Sequence, residues 1–256
     1  MHTMKCKNCN GIVRKNFCST CGQSTRVGKI TFKSISQDAF QGIFYIKNGF
    51  LFTVRELFLR PGETIQNYLD GQRKRYFKPM VYVIVLSSLY YISVHLAGKT
   101  TLFETLISGL IENSESIINI DINDDKVKVP GILIWFSKNH AYFTLLTIPL
   151  FALASFISFL GLKVNYLEHI VLNLYCTAQQ TLIYACFILI NTVFKSEILD
   201  YMPSIFGGLY LFFVYWKFFK NGNRFFNVLR TLTACIISIS ISAFAFVAVL
   251  IISHLN

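Results

Sequence analysis

Cys6-Lys7-Asn8-Cys9 and Cys18-Ser19-Thr20-Cys21 place four thiols in two CxxC pairs separated by eight residues. Thiolates at that spacing bind a metal ion. Each short CxxC curls the backbone around one side of the ion, and the link between them lets the two knuckles face each other. A glycine follows each pair within two residues, Gly11 and Gly22. Four protein ligands fill a tetrahedral ion and leave no position for water, so the chemistry is structural. The pattern predicts a zinc ribbon in which Cys6, Cys9, Cys18 and Cys21 hold one Zn2+. Iron is the weaker alternative. A redox dithiol needs only one CxxC and does not explain two so close together. His2 is read as an ordinary terminal residue.

The remaining chemistry-bearing residues lie within apolar stretches: His140, Glu168, His169, Asn173, Gln179, Gln180 and Asn191. Polar groups in hydrocarbon are expensive, which makes each a candidate for function or for bonding between helices. Glu168 and His169 are adjacent and point about 100° apart on a helix, and no HExxH occurs. Asn173 and Gln180, seven residues apart, share one face and form a candidate intramembrane polar track. Asp121 to Asp125 lacks the twelve-position oxygen pattern of an EF-hand and reads as a solvated turn. Cys176, Cys186 and Cys235 are spread through apolar runs as small buried hydrophobes. No phosphate-binding loop, dinucleotide fingerprint or serine elbow is present. No catalytic residue is nominated, and a membrane enzyme stays a third reading, held back by the lack of an acid/base or metal site in the apolar runs.

These residues sit in a chain that is 54% hydrophobic and 14% charged, with 25 Phe and 13 Tyr and a mean hydropathy of +0.50. A water-soluble domain needs a more polar surface than that. Residues 1–30 hold no apolar run of signal-peptide type, so the N-terminus is expected to stay in the reducing cytosol. Residues 1–78 carry fourteen Lys and Arg against four acidic residues, a net +10 of the +11 of the whole chain. That excess abuts the first apolar run, where membrane topology explains it without a nucleic-acid partner.

Five apolar runs predict membrane spans near 79–97, 140–160, 168–194, 202–219 and 231–253. Arg73, Lys74, Arg75 and Lys78 precede the first span, with Tyr76 and Phe77 at its expected aromatic belt. Residues 98–139 form an outer loop with four basic and six acidic residues, in which Leu102, Leu106 and Leu110 suggest a helix. Lys163 falls in one inner turn, and Lys217, Lys220, Arg224 and Arg230 flank another. The fold class is thus an all-α polytopic membrane protein of about five transmembrane helices with a small N-terminal zinc ribbon. The ribbon is assigned to residues 1–32, juxtamembrane helices to 33–78 and the transmembrane domain to 79–256.

Within the middle region, Val27 to Thr31 is a candidate strand closing the ribbon. Ser34 is a candidate cap for an amphipathic helix over Ile35 to Lys47, which Gly49 would end. Thr53 to Glu56 has the form of a capping box. Pro61-Gly62 breaks the chain, and Glu63 to Leu69 restarts as a short helix stopped by Asp70-Gly71. Such helices either lie in the membrane interface or pack against the inner ends of the bundle.

The string Leu59-Arg60-Pro61-Gly62-x-x-Ile65-x-x-Tyr68-Leu69-x-Gly71-x-Arg73-x-x-Tyr76-x-x-Pro79, behind the four-cysteine head and Gly22-Gln23, resembles an uncharacterised family. That family comprises integral membrane proteins of Bacteroidota with an N-terminal zinc ribbon. The likeness runs over residues 1 to about 95. It implies a bacterial inner (cytoplasmic) membrane location and carries no catalytic residue across.

Two roles follow as expectations. In the first, the cytosolic ribbon docks an unidentified protein partner through Asn8, Lys15, Phe17 and Gln23, while Arg60, Arg73, Lys74 and Arg75 contact the phosphates of anionic membrane lipids. In the second, the chain is a small transporter or lipid-handling permease, with Asn173 and Gln180 lining a path.

Overall fold

A computed structural model describes residues 4–13, 16–25, 27–28, 30–31, 49–101, 104–105, 135–136, 138–220 and 223–255, the last helix largely by its backbone beyond residue 245. His2, Lys15, the Ser34-capped helix over 35–47, the Leu102–Leu110 pattern and the Asp121–Asp125 turn lie outside those residues.

The head is a pair of hairpins. Strands β1 (Met4–Lys5) and β2 (Ile12–Val13) pair antiparallel around the first CxxC, and a single bridge joins Phe17 to Ser24 around the second. The described part of Val27 to Thr31 is not a strand; it is a connecting segment without ladder pairing. Its Ile30 nevertheless enters the main apolar core.

Two short helices follow. Helix α1 (Phe50–Leu59) starts at Gly49, so Thr53 lies inside it and is no cap. Its hydroxyl donates to the Gly49 carbonyl at 2.6 Å and accepts the Phe77 N–H at 2.8 Å. Helix α2 (Pro61–Leu69) begins with proline at its first position, where no N–H is needed. It ends before Gly71, whose φ of +111° suits glycine. Both helices pack against the bundle, with Thr53, Leu57, Thr64 and Ile65 fully buried.

Among the described residues, five helices are long and apolar enough to cross a membrane. They are α3 (Pro79–Leu96), α4 (His140–Ser158), α5 (Tyr166–Phe194), α6 (Glu197–Phe218) and α7 (Arg224–Leu255). The predicted spans match them within a few residues, except that α6 starts five residues earlier and α7 seven residues earlier than expected. Asn165 caps α5 by a reciprocal capping box with Glu168, at 2.9 Å in each direction. The gap of seven residues expected between the third and fourth spans is only two residues long: Lys195, left-handed at φ +47°, ends α5, and α6 starts at Glu197.

Helices α3 and α5 run parallel. Tyr82 bonds Gln179 near the head end, and Lys99 pairs with Asp200 at the far end. Helices α4 and α6 run the opposite way beside α5: Ser155 meets His169, and Tyr215 meets Asn173. The interior holds the polar and aromatic residues, among them Tyr82, Tyr175, His169 and Gln179, all at most 1% exposed. The outer faces carry Leu146, Leu153, Leu209, Leu232, Ile236, Ile239 and Phe244 in the open. That is the surface of a protein whose solvent is lipid.

Tyr76 and Phe77 do not form an outward aromatic belt. Both are buried, Tyr76 against Phe52 and as acceptor from Asn67, and Phe77 edge-on to Phe50.

Candidate metal centre and its clasp on the bundle

The Sγ atoms of Cys6, Cys9, Cys18 and Cys21 all lie within 4.8 Å of one another. Cys6 and Cys21 are 3.6 Å apart, Cys9 and Cys18 3.5 Å. Four sulfurs about 2.3 Å from a tetrahedral ion would stand about 3.8 Å apart, so the set fits a thiolate-bound metal. No disulfide joins them.

The two knuckles repeat one another. The first cysteine of each donates its N–H to the carbonyl five residues on, Cys6 to Gly11 and Cys18 to Gln23, both at 2.8 Å. The carbonyl of each accepts the N–H four residues on, from Asn10 at 2.9 Å and Gly22 at 2.8 Å. That fourth residue is left-handed in both, Asn10 at φ +58° and Gly22 at φ +67°. Asparagine and glycine are the residues that tolerate this conformation most readily. Gly11 therefore has a different role from Gly22: a Cβ there would stand 3.1 Å from the Thr20 hydroxyl and 3.4 Å from the Cys9 sulfur. Counting from each first cysteine, rather than seeking glycine, finds the repeat in the sequence.

The electrostatics favour a cation. The Cys21 N–H, helped by that of Thr20, holds the Cys18 thiol down at about 6 against its partial burial. The Gly11 N–H lowers Cys9, yet the Cys18 sulfur and partial burial, then Cys21 and Cys6, outweigh it and push that thiol up to about 12. Backbone donors thus stabilise one thiolate, and crowded sulfurs resist a second. A bound cation removes the repulsion.

The head is fastened to the chain that enters α3. Gln23, 6% exposed, donates from Nε2 to the Gly71 carbonyl at 2.7 Å and accepts the Lys74 N–H at 3.1 Å. Asn8, between the first two cysteines, accepts the Arg75 N–H at 3.1 Å. In return Arg73 donates to the Gly28 carbonyl at 2.9 Å, and its guanidinium lies 6.0 Å above the Tyr68 ring. A Cβ on Gly71 would press on Lys7 at 3.0 Å and Val27 at 3.1 Å. Each knuckle thus supplies one side chain to a single loop, residues 71–75.

Asn8 and Gln23 therefore face inward, and among the described residues expected at a docking surface Phe17 is the one left open, at 65% exposure, with Ile12 nearby in sequence at 58%. Among the basic residues, Arg60, Lys74 and Arg75 are exposed, and Arg75 lies 4.8 Å above the Phe52 ring. Arg73 is half-buried.

Asn173 and Gln180 are not brought together by any shared partner. Asn173 donates to Ser155 at 3.0 Å and to the His169 carbonyl at 2.8 Å, and accepts from Tyr215 at 3.1 Å. Gln180 donates to the Gly207 carbonyl at 2.8 Å. Glu168 closes the capping box with Asn165 at the start of α5, and His169 packs between Ser155 and the stacked pair Phe159–Phe219. Gln179, which the seven-residue spacing from Asn173 passes over in favour of Gln180, links Tyr82 to the Val54 carbonyl.

Several named positions of the Arg60–Pro79 string have a structural reason. Gly62 lies on α6: a Cβ there would overlap the Lys217 carbonyl and stand 2.7 Å from the Phe218 nitrogen. Tyr68 meets Tyr175 edge-on at 5.6 Å. Pro79 opens α3. A family model described as Protein of unknown function (DUF3667) matches residues 48–91, which span α1, α2, the clasped loop and most of α3. No curated protein and no solved structure matches the chain.

Proposed function

We propose that this protein is a membrane-fixed docking platform whose head is a zinc ribbon, held at the cytoplasmic face of the bacterial inner membrane, and that the ribbon recruits a protein partner. The single observation that carries the reading is the two-sided head. One side is locked to the 71–75 loop through Gln23 and Asn8, and the other leaves Phe17 and Ile12 uncovered. A metal-stapled knuckle is rigid before it binds, so little ordering cost is added on docking. The sulfur spacing and the all-thiolate donor set support zinc as the structural ion. In this reading the exposed Lys74 and Arg75 of the clasped loop, and the exposed Arg60 at the start of α2, contact anionic lipid phosphates.

The transport reading has less support. Asn173 and Gln180 both make hydrogen bonds within the bundle, the pattern of helix–helix bonding.

The test is crosslinking in the native membrane, purification of the full chain, metal analysis and identification of co-purifying proteins. One zinc per chain with a stoichiometric partner is expected. Cys18→Ser should lose both, and Phe17→Asp should lose the partner while keeping the zinc. A partner retained by Phe17→Asp would reject this surface. A chain that binds neither zinc nor another metal would reject the ribbon itself.

A further inference from the structure

Between α6 and α7, at the head end of the bundle, lies an open cleft of about 190 Å3. Its walls are Phe212, Phe213, Trp216 and Val228, with Asn227 and Thr231 as the polar members. Asn227 is 4% exposed; its Nδ2 donates to the Phe219 carbonyl at 2.8 Å, and its Oδ1 has no hydrogen-bond partner. Thr231 donates to the Asn227 carbonyl. Two cations stand over the aromatic walls: Lys217 Nζ lies 5.8 Å above Phe213, and the Arg224 guanidinium 5.5 Å above Trp216. Neither pairs with a carboxylate among the described residues, whereas neighbouring Lys220 is paired with Glu63.

We infer that this cleft is a binding site for one anionic phospholipid. The occupant follows from where the cleft opens and what surrounds it. It faces the lipid-exposed side of two membrane helices, whose flanking Leu209, Phe226, Leu229 and Leu232 are uncovered. It is apolar inside and cationic at the rim, the complement of an acyl chain below a phosphate. The volume is too small for a whole lipid, so the glycerol end of one chain enters and the rest lies along α6 and α7. Lys217 and Arg224 hold the phosphate. The Asn227 oxygen, otherwise a buried acceptor without a donor, receives a headgroup hydroxyl.

Trp216 is the natural reporter. With Trp135→Phe as background it is the one tryptophan left in the chain. The full-length protein is reconstituted in phosphatidylcholine bilayers containing rising fractions of phosphatidylglycerol or phosphatidylcholine brominated on the acyl chains. Quenching of Trp216 should reach half its maximum at a roughly tenfold lower fraction of the brominated phosphatidylglycerol. Lys217→Gln with Arg224→Gln should abolish the preference; both side chains are exposed, and size-exclusion in detergent checks that the variant stays folded. Arg55→Gln with Lys163→Gln removes the same charge away from the cleft and should keep the preference. Equal curves for the two lipids would leave only ordinary surrounding lipid and overturn the site. So would a preference that survives Lys217→Gln/Arg224→Gln, or one that Arg55→Gln/Lys163→Gln also abolishes.

Discussion

Gly62 shows how a single residue can fix the relation between head and bundle. Helix α2 crosses α6 there with no room for a side chain, because the opposing atoms are the Lys217 carbonyl and the Phe218 nitrogen. Backbone cannot rotate away as a side chain can, so the cost of an added methyl falls on the packing of the two helices. Gly62→Ala is expected to destabilise the protein by about 1–3 kcal/mol, read as a lower unfolding midpoint in detergent. Gly28, where a Cβ would meet nothing within 4 Å, provides the contrast: Gly28→Ala should leave the midpoint unchanged. At this scale the sequence is uneven in what it discloses. The four cysteines are legible because their partners lie within sixteen residues. The reason for Gly62 is not, because the atoms that require glycine lie some 155 residues away on α6. Asn10 is a third case: the left-handed position four residues after the first cysteine is local, but asparagine marks it less plainly than the glycine that follows.

Among the elements, the loop 71–75 matters most, since it takes bonds from both knuckles and leads straight into α3. Gln23 is its main fastening, buried with both ends of the amide engaged. Gln23→Leu is close in volume but leaves the Gly71 carbonyl and the Lys74 N–H without their partner. The expected loss is about 1–3 kcal/mol for each group that stays buried and unpaired. The metal site and the five spans are untouched by the change. Metal content should therefore hold, while protease cleavage at the loop accelerates; unchanged cleavage would mean that the head is fastened elsewhere. The spans themselves were readable from apolar length, and their ends were less so. The α5 cap is written in the sequence as Asn165-x-x-Glu168, but apolar length alone starts the span at residue 168, after the cap. Thr53 is the opposite case: a threonine three residues before a glutamate suggests a cap, yet it lies mid-helix and ties α1 to Phe77. Only the tertiary partner distinguishes the two.

For the whole molecule, five crossings put the two ends of the bundle on opposite sides of the membrane, and charge decides which side is which. The head end gathers Arg55, Arg60, Lys74, Arg75, Lys163, Lys220 and Arg224, with Glu63 held by Lys220. At the far end Lys99 meets Asp200, which also accepts from Asn191 at 2.7 Å, and Glu197 stands exposed beside it. Positive charge resists translocation, so the head end should face the cytoplasm. The placement is testable with cysteines introduced at two exposed turns, Lys163→Cys at the head end and Glu197→Cys at the far end. A membrane-impermeant maleimide added to cells with a permeabilised outer envelope and an intact inner membrane should label Glu197→Cys. Lys163→Cys should react only once the inner membrane is broken. The native head cysteines would follow Lys163→Cys, protected by the same membrane. The opposite pattern would turn the ribbon outward, away from the cytosolic partner proposed for it and from the reducing compartment that keeps four thiols ready for metal.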